Sequence, residues 1–139
     1  MNKIIDTLVY NETMILYVSA TQGEAAQVPS DYPLIVTGIG IIRATLTLTE
    51  YLARADELPE RIINFGTAGS LNGNTGIFEI DHVFQHDFDH KVIEQIIGKP
   101  FPNGIDLPTV STLPTAHLAT GDSFVNDPDT RARLVQQAQ

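Results

Sequence analysis

The sequence predicts an α/β fold: a central, mixed and largely parallel sheet flanked by helices. Three observations predict it. Short apolar runs at 14–19, 33–37 and 61–65 have the length and composition of buried strands. A stretch with helical spacing of apolar residues, 41–56, connects the second run to the third. Each run then gives way to small and polar residues, as strands do where they leave a buried sheet.

The elements follow in order. Residues 3–10 (KIIDTLVY) predict a short helix, and 14–19 (MILYVS) a buried strand. The second strand, 33–37 (PLIVT), is stopped by Gly38 and Gly40. In the helix over 41–56, Ile41, Ala44, Leu48, Tyr51, Leu52 and Ala55 fall on one face. The third strand, 61–65 (RIINF), is broken by the run GTAGSLNGNTG, and 77–84 (IFEIDHVF) fits a fourth with partial alternation. Four prolines and two glycines make 98–114 mostly loop. A fifth strand is expected at 115–120. Asn126-Asp127-Pro128 then starts a helix, with Asp127 as cap and Pro128 at its first position, running to about Ala138.

Composition narrows the class. A chain of 139 residues suits one domain, and 42% hydrophobic with 18% charged residues is ordinary for a globular protein. The net charge of −9 argues against a nucleic-acid partner, which requires Lys and Arg to displace counterions from phosphate. Without cysteine there is no disulfide framework and no thiolate metal site. The first residues lack the long apolar core of a signal peptide, and no run approaches the ~18 apolar residues of a membrane span. A cytoplasmic location and no membrane partner are the expectations.

Ligands of parallel α/β sheets bind beyond the carboxyl ends of the strands. Three segments reach such an end: 19–24, 37–40 and 66–70. Within them, Thr37-Gly38-Ile39-Gly40 before a helix, and Asn64-Phe65-Gly66-Thr67-Ala68-Gly69 after a strand, resemble the core of the purine nucleoside phosphorylase/nucleosidase superfamily. Ser19-Ala20-Thr21-Gln22-Gly23-Glu24 is similar to that superfamily's first-strand turn, which ends in an acidic residue. Gly121-Asp122-Ser123-Phe124-Val125-Asn126 is similar to its base-holding segment. Gly-x-Gly alone is common; four segments in order over residues 14–126 are far more specific. The nearest subgroup is 5′-methylthioadenosine/S-adenosylhomocysteine nucleosidase.

The resemblance implies a three-layer phosphorylase/hydrolase-like fold, a homodimer and hydrolysis of the N-glycosidic bond of an adenine nucleoside with no cofactor. It also implies site roles. Glu24 would activate the attacking water, since water is a poor nucleophile until a positioned carboxylate takes its proton. The same charge would stabilise the oxocarbenium-like state of ribosidic cleavage. The plain alternative is an acid that favours the start of a helix. Gly66, Thr67, Ala68 and Gly69 would cradle sugar and base, small residues allowing close main-chain approach. The plain alternative there is a strand-to-loop turn. Phe124 would stack on the purine and the Val125 main chain read its edge; a core phenylalanine is the commoner fate on composition alone. Thr21, Ile39 and Gly40 would line the sugar side, with Thr21 and Ile39 flanking the 5′ substituent.

Asp81, His82, His86, Asp87, Asp89 and His90 invite a metal reading, because imidazole and carboxylate suit several divalent ions. The superfamily carries a His-Asp-x-Asp segment after its fourth strand, near a subunit interface, and its chemistry uses no metal, so no metal site is expected. His117 is read as structural. Phosphorylases of the superfamily place an arginine three residues before the cradle Ser/Thr; that position is Asn64 here, and 19–24 holds no arginine either. Arg43 falls inside the predicted helix and Arg61 begins a strand. Water is therefore favoured over phosphate as the nucleophile. The superfamily's Met-Glu pair for the ribose hydroxyls and its purine-protonating Asp follow the last helix, and this sequence has neither, so a C-terminally shortened domain is expected. Three readings stay open: a nucleosidase, a phosphorylase, and a non-catalytic nucleoside-binding protein.

Overall fold

The strand β1 (Ile15–Ser19) forms because Leu16 and Val18 alternate onto a buried face and Ser19 closes the run, also buried. The computed structural model describes residues 14–137; the helix expected at 3–10 lies outside the described residues. Two compact units divide the chain between Thr67 and Ala68. Among the described residues the architecture is α/β, with four helices and two three-stranded sheets.

The first unit contains β1, α1 (Gln22–Ala25), β2 (Leu34–Val36), α2 (Ile41–Arg54) and β3 (Arg61–Asn64). Its sheet has the order β2-β1-β3, and both pairings are parallel. Leu16 pairs with Ile62 and Val18 with both Ile35 and Asn64, so the three carboxyl ends finish together. The Ser19 carbonyl accepts from Thr37 N–H at 2.9 Å and the Val18 carbonyl from Phe65 N–H at 3.0 Å, extending both ladders to the strand ends. Tyr17 packs edge-on against Tyr32 and Phe65.

Gly40 caps α2 at φ 102° and ψ 149°, an extended positive-φ conformation that costs a side-chain-bearing residue about 1–3 kcal/mol. Five of the six residues on the predicted helical face lie on the partly covered side. Ile41, Ala44, Leu48, Leu52 and Ala55 are half-buried, while Tyr51 is exposed with Ile42 and Leu46. No residue of α2 is fully buried. An open groove of about 720 Å³ runs beside it, lined by Met14, Ile35, Thr47 and Tyr51 among others.

In the second unit, β4 (Glu79–Gln85) is central, with β5 (Gly104–Asp106) antiparallel on one side and β6 (Thr115–Thr120) parallel on the other. Its core includes Phe84 and Leu134, the latter on α4 (Pro128–Gln137). Two elements depart from the expected order. The strand β5 lies inside the proline-rich 98–114 segment, and Gly104 makes it possible: a Cβ there would meet His82 Nε2 at 2.5 Å and the Val83 carbonyl at 2.7 Å. The helix α3 (His90–Ile97) occupies residues for which the sequence reading assigns no element. Asp89 caps it by accepting from Val92 N–H at 3.1 Å, and Gly98 ends it in the left-handed conformation at φ 68°. As expected, α4 begins at Pro128, with Asp127 accepting from Thr130 N–H at 2.8 Å.

Candidate active site

Parallel order β2-β1-β3 means that the chain leaves β1 for one side and later returns to the other. The carboxyl ends of β1 and β3 thus flank a topological switch point, where open α/β sheets bind ligands. Residues 19–24 follow β1 and residues 65–67 follow β3, so both loops rise at this crevice.

Glu24 joins them. Its Oε1 accepts from Thr67 N–H and from Thr67 Oγ1, each at 2.8 Å. Its Oε2 lies 3.1 Å from Thr21 Oγ1 and 3.4 Å from Ser19 Oγ. Local sequence explains part of this. Thr21-Gln22-Gly23-Glu24 has the capping-box spacing, and Thr21, extended at φ −136° and ψ 155°, accepts from Glu24 N–H at 3.3 Å. Helix-start acid is therefore a correct description of Glu24, but an incomplete one, because its shortest bonds reach a residue 43 positions away.

Those bonds set the charge. Donation from Thr67 N–H, then from Thr67 Oγ1, holds the Glu24 carboxyl below its ordinary value; partial desolvation opposes this, and Thr21 and Ser19 add to the lowering. Glu24 is thus ionised at neutral pH. Oε1 is saturated by Thr67. Oε2 faces two rotatable hydroxyls at longer range, which makes it the oxygen open to exchange with a water. Gly66 belongs to the same construction, since a Cβ there would stand 3.1 Å from Glu24 Oε1. Ser19, fully buried, is a site residue that sequence reasoning left out of the site; its place at the last position of β1 was the available signal.

Comparison with protein-family models, curated proteins and solved structures finds no match to this chain.

Of the residues singled out in the sequence, Thr21, Glu24 and Thr67 are brought into contact. Ile39 and Gly40 follow β2 in the same unit; Ile39 is 76% exposed and makes no part of the Glu24 hydrogen-bond set. Gly38, two residues before Gly40, sits under Arg43: a Cβ there would meet Arg43 Cδ at 3.1 Å and Nη1 at 3.4 Å. The α2 arginine thus folds back to the strand-end turn.

Ala68, Gly69, Phe124 and Val125 belong to the second unit. Ala68 and Gly69 are exposed, and no atom would crowd a Cβ at Gly69, so this glycine is not required by close packing. Phe124 is 88% exposed, which removes the core reading of its ring; Val125 is half-buried. The acidic and histidine-rich run is spread among separate tasks. His82 Nδ1 lies 2.7 Å from Asp106 Oδ1, His117 Nε2 lies 3.7 Å from Asp81 Oδ1, and Asp89 caps α3. Asp81 occupies the register shift between Ile80 and His82, a bulge that turns its carboxylate toward His117. His117, on β6, stands beyond hydrogen-bond range of Asp81, its ring 5.3 Å from that of His82.

Proposed function

We propose that this chain is a nucleosidase of the phosphorylase/nucleosidase type, hydrolysing the N-glycosidic bond of an adenine nucleoside such as 5′-methylthioadenosine or S-adenosylhomocysteine. The observation that carries the reading is the Glu24–Thr67 pair at the strand-end crevice: an ionised carboxylate held by main-chain and hydroxyl donors. Such a group can orient a water through Oε2 and accept its proton as the water oxygen bonds to C1′ and the C–N bond breaks, the departing adenine taking up a proton from solvent. Its negative charge also opposes the positive charge that develops on the ribose. The lowered basicity of Glu24 shifts the balance toward positioning and charge stabilisation rather than early proton removal. Phe124 offers an uncovered aromatic face for the purine, with the Val125 main chain beside it. The three-layer fold is part of the same proposal and is supported by the parallel β2-β1-β3 order.

The test is release of free adenine from 5′-methylthioadenosine by the 139-residue chain, with and without phosphate. Phosphate-independent release is expected. Glu24→Gln keeps an acceptor for Thr67 but cannot take a proton, and is expected to lower the rate by at least ~10². An unchanged rate in that variant would remove Glu24 from the mechanism.

A phosphorylase is the second reading, favoured by Arg43 at the Gly38 turn, where a guanidinium could meet a phosphate oxyanion. Strict phosphate dependence would select it. Adenine binding without turnover would select the non-catalytic reading.

Homodimerisation belongs to the proposal as well. Ile42 and Leu46 on α2 are 69% and 66% exposed, more apolar surface than a helix usually leaves to water. Sedimentation velocity over a hundredfold range of concentration is expected to show a dimer; a monomer throughout would exclude it.

A further inference from the structure

A second carboxylate is fixed by main-chain donors at the carboxyl ends of β4 and β6. Asp87 Oδ2 accepts from Asp122 N–H at 2.7 Å and from Ser123 N–H at 2.9 Å. Asp87 Oδ1 accepts from Gln85 Nε2 at 2.9 Å. The base of the loop is anchored by His86 N–H, which donates to the Thr120 carbonyl at 2.9 Å, and the His86 side chain is buried. Between the anchors lies Gly121. A Cβ there would stand 2.7 Å from both Asp87 Cγ and His86 Nε2, so the main chain must come this close for the carboxylate to reach the next two amides. Phe124 follows directly.

An exposed ring on a freely moving loop would have to be ordered each time a ligand bound, at a cost in backbone and rotamer entropy. Tying down the two amides immediately before it removes part of that cost in advance. Donation from the Gln85 amide, then from Ser123 N–H, brings the Asp87 carboxyl from 3.8 down to about 2; partial desolvation opposes this, and Asp122 N–H and the nearby His86 add to the lowering.

We propose that Asp87 is the positioning residue of the base-binding segment: by holding the Asp122 and Ser123 amides it fixes where Phe124 and Val125 stand. The inference rests on the reading of Phe124 and Val125 as the part that meets the purine. Asp87 itself touches no base; it acts through the main chain.

The experiment uses the full chain and adenine as the probe, with Asp87→Ala, Asp87→Asn and Gly121→Ala. The last displaces the carboxylate by a methyl group and leaves its charge in place. Amide hydrogen exchange at Asp122 and Ser123 reads the clamp directly, and the Thr67 amide, held by Glu24, is the internal reference. Asp87→Ala and Gly121→Ala are each expected to speed exchange at Asp122 and Ser123 by about tenfold or more, leave Thr67 unchanged and weaken adenine binding by about tenfold. Asp87→Asn retains one acceptor and should fall between. Faster exchange with unaltered adenine affinity would overturn the positioning role, as would unchanged exchange. If the unsubstituted chain binds no adenine while its Asp122 and Ser123 amides stay protected, the base-binding reading fails and the proposal with it, although the clamp itself stands. Should Asp87→Ala fail to fold, Gly121→Ala carries the same comparison.

Discussion

A single carboxylate can satisfy a local rule and a distant one together, and Glu24 does both. Its Oε2 accepts from Thr21 Oγ1 at the start of α1, and its Oε1 closes onto Thr67 beyond the neighbouring strand β3. The two sets of donors stabilise the same charged form, which gives a definite pH dependence. A carboxyl with a folded pKa below its unfolded value contributes stability that is fully present above the unfolded pKa. That contribution is lost as pH falls through the folded one. For Glu24 the unfolded reference is 4.5, so the adenine-releasing rate is expected to stay level from neutral pH down to that value and to fall only below it. A rate profile that inflects above pH 4.5 would show that Glu24 is not the group being titrated, or not held as described. Asp87 follows the same sign: its contribution is complete above about 3.8 and fades as the pH approaches 2.

Among the elements, α3 shows how much a short helix depends on its ends. Eight residues are too few to be stable on propensity alone. Asp89 satisfies one N-terminal donor and Gly98 turns the chain away while its N–H donates to the Glu94 carbonyl at 2.9 Å. Replacing Asp89 with Ala is expected to cost about 1 kcal/mol in chemical denaturation, within the ~0.5–2 kcal/mol range of such caps. Exchange should rise first at Val92 and its neighbours; a variant as stable as the parent would mean that packing, not the cap, holds α3. These end signals were present in the sequence as Asp89 and Gly98, with the eight residues His90–Ile97 between them, but a run rich in His and Asp reads equally as a set of metal ligands. Strand β5 was hidden for another reason. Prolines mark 98–114 as loop, and only the approach of Gly104 to His82 and Val83 turns three of its residues into an edge strand.

The molecule divides its core. Leu16, Val18 and Ala25 are buried in the first unit, Phe84 and Leu134 in the second. Leu16→Ala and Leu134→Ala are each expected to cost about 2–5 kcal/mol, the usual range for emptying a buried leucine site. Hydrogen exchange would assign the losses. Leu16→Ala should expose the β1 amides first and Leu134→Ala those of β4 and β6, whereas equal loss everywhere in both variants would show one cooperative unit.

Alternating or continuous apolar runs were enough to read β1, β2, β3 and β4 from the sequence, although β3, expected to be buried, is mostly exposed, with Ile63 alone of its four residues half-buried. The cap at Asp127-Pro128 marked α4 because its donors and its fixed φ are local. The sequence also set the charge of −9 and the absence of thiols, so no disulfide can form within these 139 residues. What only the tertiary structure decided were the pairings between distant loops: Glu24 with Thr67, Asp87 with Asp122 and Ser123, Gly104 beneath His82. Such contacts depend on which strand ends lie side by side, and that order is set by the ladders and their register, which no single segment contains.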